Sequence, residues 1–266
     1  MGMLKDDASL LALFEDLALA AGAAIMQHYE AGFEVEQKAD DTPVTAADRA
    51  AERVILGGFA KVGLGTPCVS EEAASGGVIP ACGDGNFLLV DPLDGTREFI
   101  ARRPDFTVNI GLIRNGAPVI GVVYAPARNL LYSARSDAAF EIPVTAGQPQ
   151  ERRSIKARPR RTPPAILASR SHCTDETRAF IARYPDAETV SIGSSLKFCM
   201  IARGDADLYP RFGRTMQWDT AAGDAVLRAA GGMARTLDGA PLTYGPKGGE
   251  GLEAFVSPSF VAEGAG

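Results

Sequence analysis

The stretch Phe87-Leu88-Leu89-Val90-Asp91-Pro92-Leu93-Asp94-Gly95-Thr96 decides how the chain is read. Its apolar run, 87–90, predicts a short buried strand. The run ends abruptly on Asp91 and a tight turn that also carries Asp94. Ionised carboxylates at the end of a buried strand must be paired or must hold a cation. Pro92 fixes the backbone between them, and Gly95 lets a ligand come close to the main chain. Thr96 opens a helical stretch over 97–101, whose free N–H groups suit a phosphate. Hard oxygen ligands beside a phosphate cradle imply Mg²⁺. The plainer alternative is an acidic turn that caps a helix, which would not need both aspartates.

Three further segments join this one. Val69-Ser70-Glu71-Glu72 places an acidic pair after a short β-type segment. Trp218-Asp219-Thr220-Ala221-Ala222-Gly223 puts an aspartate at the start of a long helix. Asp41-Thr42-Pro43-Val44-Thr45-Ala46-Ala47-Asp48 leads into another helix, with Asp48 in its first turn. Together the segments resemble the inositol monophosphatase-like superfamily of Mg²⁺-dependent, Li⁺-sensitive phosphatases. That pattern is a Glu-Glu pair, then Asp-Pro-(Ile/Leu)-Asp-Gly-Thr, then Trp-Asp-x-Ala-Ala/Gly, and all three parts occur here in order.

The resemblance implies an α/β fold, a layered αβαβα sandwich of the inositol monophosphatase/fructose-1,6-bisphosphatase type. It also implies two or three Mg²⁺ ions, with Li⁺ and Ca²⁺ inhibitory. Carried over position by position, Glu71, Asp91, Asp94 and Asp219 resemble the metal carboxylates, with Asp91 bridging two ions, and the Leu93 carbonyl resembles a further ligand. Gly95 and Thr96 resemble the phosphate cradle, and Asp48 with Thr96 the pair that orients the attacking water. Each role has a plainer counterpart. Asp219 and Asp48 could simply cap their helices, Glu72 could be a solvated neighbour, and Asp40 and Asp41 could be loop carboxylates or lie near a third, weaker metal. Trp218 reads as a packing residue rather than a platform for a base.

Bulk properties bound the reading. The chain has 266 residues, enough for one compact enzyme or two tightly joined subdomains. Its net charge of −6 argues against nucleic-acid binding through a basic face, though a bound cation would let it take an anionic substrate. The cysteines Cys68, Cys82, Cys173 and Cys199 form no Cys-x-x-Cys pair, which points to a reduced, cytoplasmic protein rather than a zinc or disulfide scaffold. The sequence reading finds no bilayer-spanning segment, no secretory signal and no myristoylation pattern, and it leaves oligomeric state open.

Along the chain, Ser9 is expected to cap a helix reaching residue 30, with Leu10, Leu13, Phe14, Leu17, Ala21, Ala24 and Ile25 on one face and His28 simply part of it. Thr45 is expected to cap a second helix to about residue 59, with Asp48 completing a capping box. Strands follow at 107–113 and 119–125 around Asn115-Gly116, then at 130–134 and 139–142. The polar segment 145–164 reads as a surface connection. It divides an N-terminal α+β part, 1–150, carrying most metal ligands, from a C-terminal α/β part, 151–266, carrying Asp219 and the specificity residues. Strands at 165–169, 190–193 and 206–209 alternate with helices at 174–184, 194–203 and 219–230, and two short β stretches follow.

The substrate is read from different residues. Gly193-Ser194-Ser195-Leu196-Lys197-Phe198 and Ala206-Asp207-Leu208-Tyr209-Pro210-Arg211 place two cations away from the carboxylates, which suggests a second anionic group on the substrate. With 35–47, 91–100 and Met216-Gln217-Trp218-Asp219, these segments resemble the 3′(2′),5′-bisphosphate nucleotidase branch of the superfamily. Ser169-Arg170-Ser171-His172 resembles that branch's nucleotide-contacting stretch. The resemblance implies a small phosphate ester, adenosine 3′,5′-bisphosphate, bound by Ser171, His172, Gly193, Lys197 and Arg211 beside Glu71, Leu93, Asp94, Gly95, Thr96 and Asp219. Lys197 could instead be a helix residue snorkelling to solvent, Arg211 could pair with a surface acid, and His172 could be a plain loop residue. An inositol or sugar-phosphate phosphatase with the same metals, or a silent phosphate-binding protein, are the competing functions.

Overall fold

The computed structural model describes residues 6–32, 35–37, 43–170 and 173–266. Asp40, Asp41, Ser171 and His172, named above, lie outside the described residues. The first half runs α1 (Asp7–Ala31), β1 (Val35–Gln37), β2 (Pro43–Thr45), α2 (Ala46–Lys61), β3 (Cys68–Ser70), α3 (Glu71–Ser75), β4 (Asn86–Asp94), α4 (Thr96–Ile100), β5 (Thr107–Arg114), β6 (Ala117–Ala125), β7 (Leu130–Arg135) and β8 (Ala138–Thr145). Short strands β9 (Gln148–Pro149) and β10 (Arg153–Ser154) lead into β11 (Ala165–Ser169), α5 (Asp175–Ile181), β12 (Glu188–Ile192), α6 (Leu196–Ala202), β13 (Leu208–Arg211), α7 (Ala221–Ala229), β14 (Met233–Thr236) and β15 (Phe260–Glu263).

Two sheets result. The first has the order β10-β8-β7-β6-β5-β4-β3, with β9 on β8. It is antiparallel except where β3 runs parallel to β4. The second has the order β12-β11-β13-β15-β14. α1 and α2 bury Phe14, Ile25 and Ile55 with Val108, Ile110 and Val122 of the first sheet. The other face of that sheet packs with α6 and α7 and with Phe260 and Ala262 of the second sheet in a separate core. α5 reaches β13 from the far side. The layers therefore alternate α, β, α, β, α, as the resemblance implied. α7 sits flush on the first sheet because two strand glycines lack side chains. A Cβ on Gly121 would lie 2.3 Å from the Ala222 carbonyl oxygen, and one on Gly111 would lie 3.2 Å from the Ala222 nitrogen.

Several local expectations shift. Asp6, not Ser9, caps α1: its carboxylate accepts from the Ser9 N–H at 2.8 Å. A carboxylate at the cap takes the orphan donor three residues on, which leaves Ser9 inside the helix. The Thr45/Asp48 capping box is present as read. β4 does not stop at Asp91 but continues to Asp94 through a register shift, and a bulge is where a strand tolerates Pro92. α7 begins at Ala221 and has nine residues, so Asp219 sits in the turn before it. The segment 145–164 is more than a surface connection: β10 pairs with β8, and Ile155 and Ala157 pack on the core. By length and composition α1, at 25 residues, could cross a bilayer, unlike the sequence reading. In the fold its Leu10, Phe14, Ala18, Ala21 and Ile25 are buried against the sheet.

Candidate active site

Three of the carboxylates stand at the ends of elements, and Asp91 stands at the bulge within β4. Glu71 opens α3 directly after β3, Asp91 and Asp94 flank the β4 bulge, and Asp219 precedes α7. Because β3 and β4 are parallel neighbours with Ser70 opposite Val90, the next residues, Glu71 and Asp91, come side by side. Carboxylate oxygens of Glu71, Asp91 and Asp219 lie within 4.8 Å of one another. They line one cavity of about 350 Å³ with Leu93, Asp94, Gly95, Thr96, Gly193, Lys197 and Arg211.

The aspartates share a pattern of support, in which protein donors hold one oxygen. Asp91 Oδ1 accepts from the Leu93 N–H at 3.1 Å. Asp94 Oδ2 accepts from the Ser195 N–H at 2.7 Å, the Ser195 hydroxyl or Asn109 Nδ2. Asp219 Oδ2 accepts from the Thr215 hydroxyl at 2.7 Å and the Met216 N–H at 3.0 Å. Ser195 Oγ also lies 2.5 Å from the Asp219 carbonyl, so this one hydroxyl ties β4 to the turn before α7.

Burial and mutual repulsion set the charge states. Burial, followed by the fields of Glu71, Asp94 and Asp219, pushes Asp91 well above the ordinary carboxylate range. Burial, then Asp94 and Glu71, pushes Asp219 up to about 7. Asp94 is raised chiefly by burial, against the pull of Lys197. Clustered buried carboxylates that cost this much to ionise fit a bound cation, and an all-oxygen donor set fits a hard one such as Mg²⁺. Glu71, Asp91, Asp219, the remaining oxygen of Asp94 and the Leu93 carbonyl are the groups that could hold it.

Behind this cluster, Asp48 is buried in the first turn of α2. Its Oδ2 accepts from the Thr45 N–H at 2.8 Å and the Thr45 hydroxyl at 2.7 Å, and its Oδ1 lies 3.1 Å from Thr96 Oγ1. Capping and Thr96 contact thus coexist in one carboxylate. Thr96 Oγ1 also lies 3.3 Å from the Leu93 carbonyl, and Gly95 turns the chain at φ 91°.

Lys197 and Arg211 sit on another part of the same cavity. Lys197 does not snorkel: its ammonium donates to the carbonyls of Ser194 at 2.5 Å and Ile192 at 3.3 Å and lies 5.1 Å from the centre of the Tyr209 ring. Burial lowers it to about 8, with Asp94 opposing the shift. Arg211 is 7% exposed, pairs with no carboxylate among the described residues, donates to the Arg214 carbonyl at 2.7 Å and leaves Nε without a partner. Trp218 is buried against Phe255. Sequence reasoning missed the supports Asn109, Ser195 and Thr215. The available signal was Asn109, a polar residue inside the apolar strand 107–113.

Fold and site together define a phosphatase of the inositol monophosphatase family. The sequence profile of that family matches residues 6–254, and the chain belongs to it. It is 46% identical over 246 residues to the 3′(2′),5′-bisphosphate nucleotidase CysQ of Escherichia coli K12, covering 92% of this chain and 95% of that one. Identity to the Haemophilus influenzae protein of the same name is 31%, over 93% and 90% of the two chains. Among solved structures, CysQ from Bacteroides thetaiotaomicron superposes with a TM-score of 0.77 at 35% identity, covering 96% of this chain and 97% of that one. An inositol monophosphatase from Anabaena gives 0.74 at 25% identity, covering 97% and 91%.

Proposed function

We propose that this chain is a Mg²⁺-dependent 3′(2′),5′-bisphosphate nucleotidase that hydrolyses adenosine 3′,5′-bisphosphate to AMP and phosphate. One observation carries the reading: a single cavity joins a carboxylate cluster to two buried cations, Lys197 and Arg211. The first suits a phosphate through a metal. The second suits another anion on the same substrate.

In this reading Glu71, Asp91, Asp94, Asp219 and the Leu93 carbonyl would hold two or three ions. Bound there, Mg²⁺ supplies charge neutralisation of the phosphoryl group and acidifies water. The protein's own part is orientation. Asp48, fixed by Thr45, accepts the Thr96 hydroxyl proton. That leaves a Thr96 lone pair to accept a hydrogen bond from the water and aim it at phosphorus. The Gly95 turn gives the scissile phosphate close access to main-chain N–H groups. Lys197 spends two donors on carbonyls and keeps a third for the remote phosphate, while Arg211 offers the unpartnered side of its guanidinium. Gly193, Ser171 and His172 complete the substrate set in this reading.

The four free cysteines support placement in the cytoplasm, and Cys68, which burial pushes up to about 12, is held as a thiol. Kinetics on adenosine 3′,5′-bisphosphate and inositol 1-phosphate in parallel test the reading, with added Li⁺ or Ca²⁺ against Na⁺ as further arms. We expect the bisphosphate to be strongly preferred, turnover to require Mg²⁺, and both added ions to inhibit. Preference for inositol 1-phosphate would replace the nucleotidase reading with a polyol one.

A further inference from the structure

Asp105 belongs to none of the groups above, yet its surroundings touch most of them. It is 2% exposed, just before β5. Arg128, from the 3₁₀ turn Pro126–Arg128 between β6 and β7, donates to its Oδ1 through Nε at 2.9 Å and through a terminal nitrogen. Arg170, directly after β11, donates to its Oδ2 at 2.7 Å. The other terminal nitrogen of Arg170 donates to the Ser191 carbonyl of β12 at 2.9 Å. Burial alone would raise the Asp105 carboxyl, but the two guanidiniums hold it below the ordinary carboxylate range, so it is ionised at neutral pH.

The Asp105 main chain completes the arrangement. A Cβ on Gly95 would lie 3.1 Å from the Asp105 carbonyl oxygen, and one on Gly193 would lie 2.7 Å from it. Two glycine backbones, one in the Asp94-Gly95-Thr96 turn and one leading into Ser194 and Lys197, thus rest on the same peptide. Directly after Gly193, Ser194 is held at φ 52°, a left-handed conformation unfavourable for serine. Its carbonyl takes the Lys197 ammonium. A strained loop that aims a buried cation needs an external hold. Arg170 provides it by reaching β12 through Ser191.

We propose that Asp105, Arg128 and Arg170 form a positioning clamp that sets the distance between the scissile-phosphate turn at Gly95 and the remote-anion loop at 193–197, and so selects a substrate with two anionic groups. Although Arg170 lies in the stretch that resembles a nucleotide-contacting one, both its terminal nitrogens donate to Asp105 and Ser191; in this proposal it and Arg128 touch no substrate and act through those partners. The clamp deepens the nucleotidase reading and rests on it for the identity of the second anion.

The test uses the full chain with Arg170→Ala, Arg170→Lys and Asp105→Asn. Each is measured for KM and kcat on adenosine 3′,5′-bisphosphate, for inhibition by 5′-AMP and by inorganic phosphate, and for amide hydrogen exchange. Losing a charge-assisted contact predicts that Arg170→Ala raises KM and weakens 5′-AMP by about tenfold. It leaves kcat within about twofold and inorganic phosphate unchanged, and it speeds exchange at 191–196 but not in β5 or β6. Arg170→Lys, which keeps the charge but not the fork, falls between. An unchanged KM and exchange pattern overturns the proposal, as does an equal loss of 5′-AMP and phosphate binding. Should Asp105→Asn fail to fold, the partly exposed Arg170 variants still decide. A wild-type enzyme inactive on the bisphosphate would refute the nucleotidase reading, while faster exchange at 191–196 in Arg170→Ala would still support the mechanical clamp.

Discussion

The cost of the site falls on Asp91. It is 1% exposed, the charges acting on it are other carboxylates, and it accepts from the Leu93 N–H. We expect Asp91→Asn to abolish Mg²⁺-dependent phosphate release while raising the melting temperature in EDTA, since the change removes a buried, repelled carboxyl. Activity within about tenfold of wild type at saturating Mg²⁺ would remove Asp91 from the metal set. The same repulsion fixes a pH dependence. Asp219 titrates at about 7 in the fold against a reference of 3.8, so between those values the native state keeps a proton that the unfolded chain has lost. Metal-free stability therefore falls as pH rises through that window. Mg²⁺ needs the ionised groups, so its stabilising effect grows over the same range. Melting curves from pH 4.5 to 8, in EDTA and in Mg²⁺, should diverge with rising pH; a constant gap would contradict the cluster's coupling to metal. At this scale the sequence was readable where partners are near. Thr45 and Asp48, three positions apart, were legible as a capping box. Ser195 was not, because its bonds to Asp94 span 101 positions and no local pattern records them.

Elements matter through how closely they approach. α7 delivers the Asp219 turn, and it can lie on the sheet only because Gly111 and Gly121 leave room. In Gly121→Ala the new Cβ would sit 2.3 Å from the Ala222 carbonyl and 2.7 Å from the Ala225 Cβ, both poorly placed to yield. Overpacking of this kind predicts a loss of about 1–3 kcal/mol in urea unfolding, with a parallel loss of activity through displacement of Asp219. Full retention of both would mean that α7 is free to shift. Strand and helix order were legible from alternating texture. Besides the α1 cap and the segment 145–164, two elements misjudged are those that carry the carboxylates: β4 carries on through Pro92, and α7 starts two residues after Asp219. In the first case Asp91 stays buried at the bulge inside the strand with Asp94 at its end, and in the second Asp219 stands in the turn before the helix.

Across the whole molecule, the cavity draws on both halves of the chain. Glu71, Asp91 and Asp94 come from the first sheet and α3, whereas Asp219, Lys197 and Arg211 come from the elements around the second sheet. One core also includes residues from both, from Val69 and Phe87 to Phe198 and Phe260. The layered fold was legible through the motifs and the alternation. The placement of Lys197 and Arg211 relative to the carboxylate cluster was not, since it depends on long-range packing such as the Asp105 contacts.

In the proposed function the carboxylate cluster takes the scissile phosphate while Lys197 and Arg211 take a second anion. The most direct measurement is kcat/KM for wild type and Arg211→Ala on adenosine 3′,5′-bisphosphate and on 3′-AMP, which lacks the 5′-phosphate. We expect a loss of about ten- to a hundredfold on the bisphosphate and little change on 3′-AMP, because one charge-assisted contact is removed far from the reacting phosphorus. Equal losses on both substrates would contradict it.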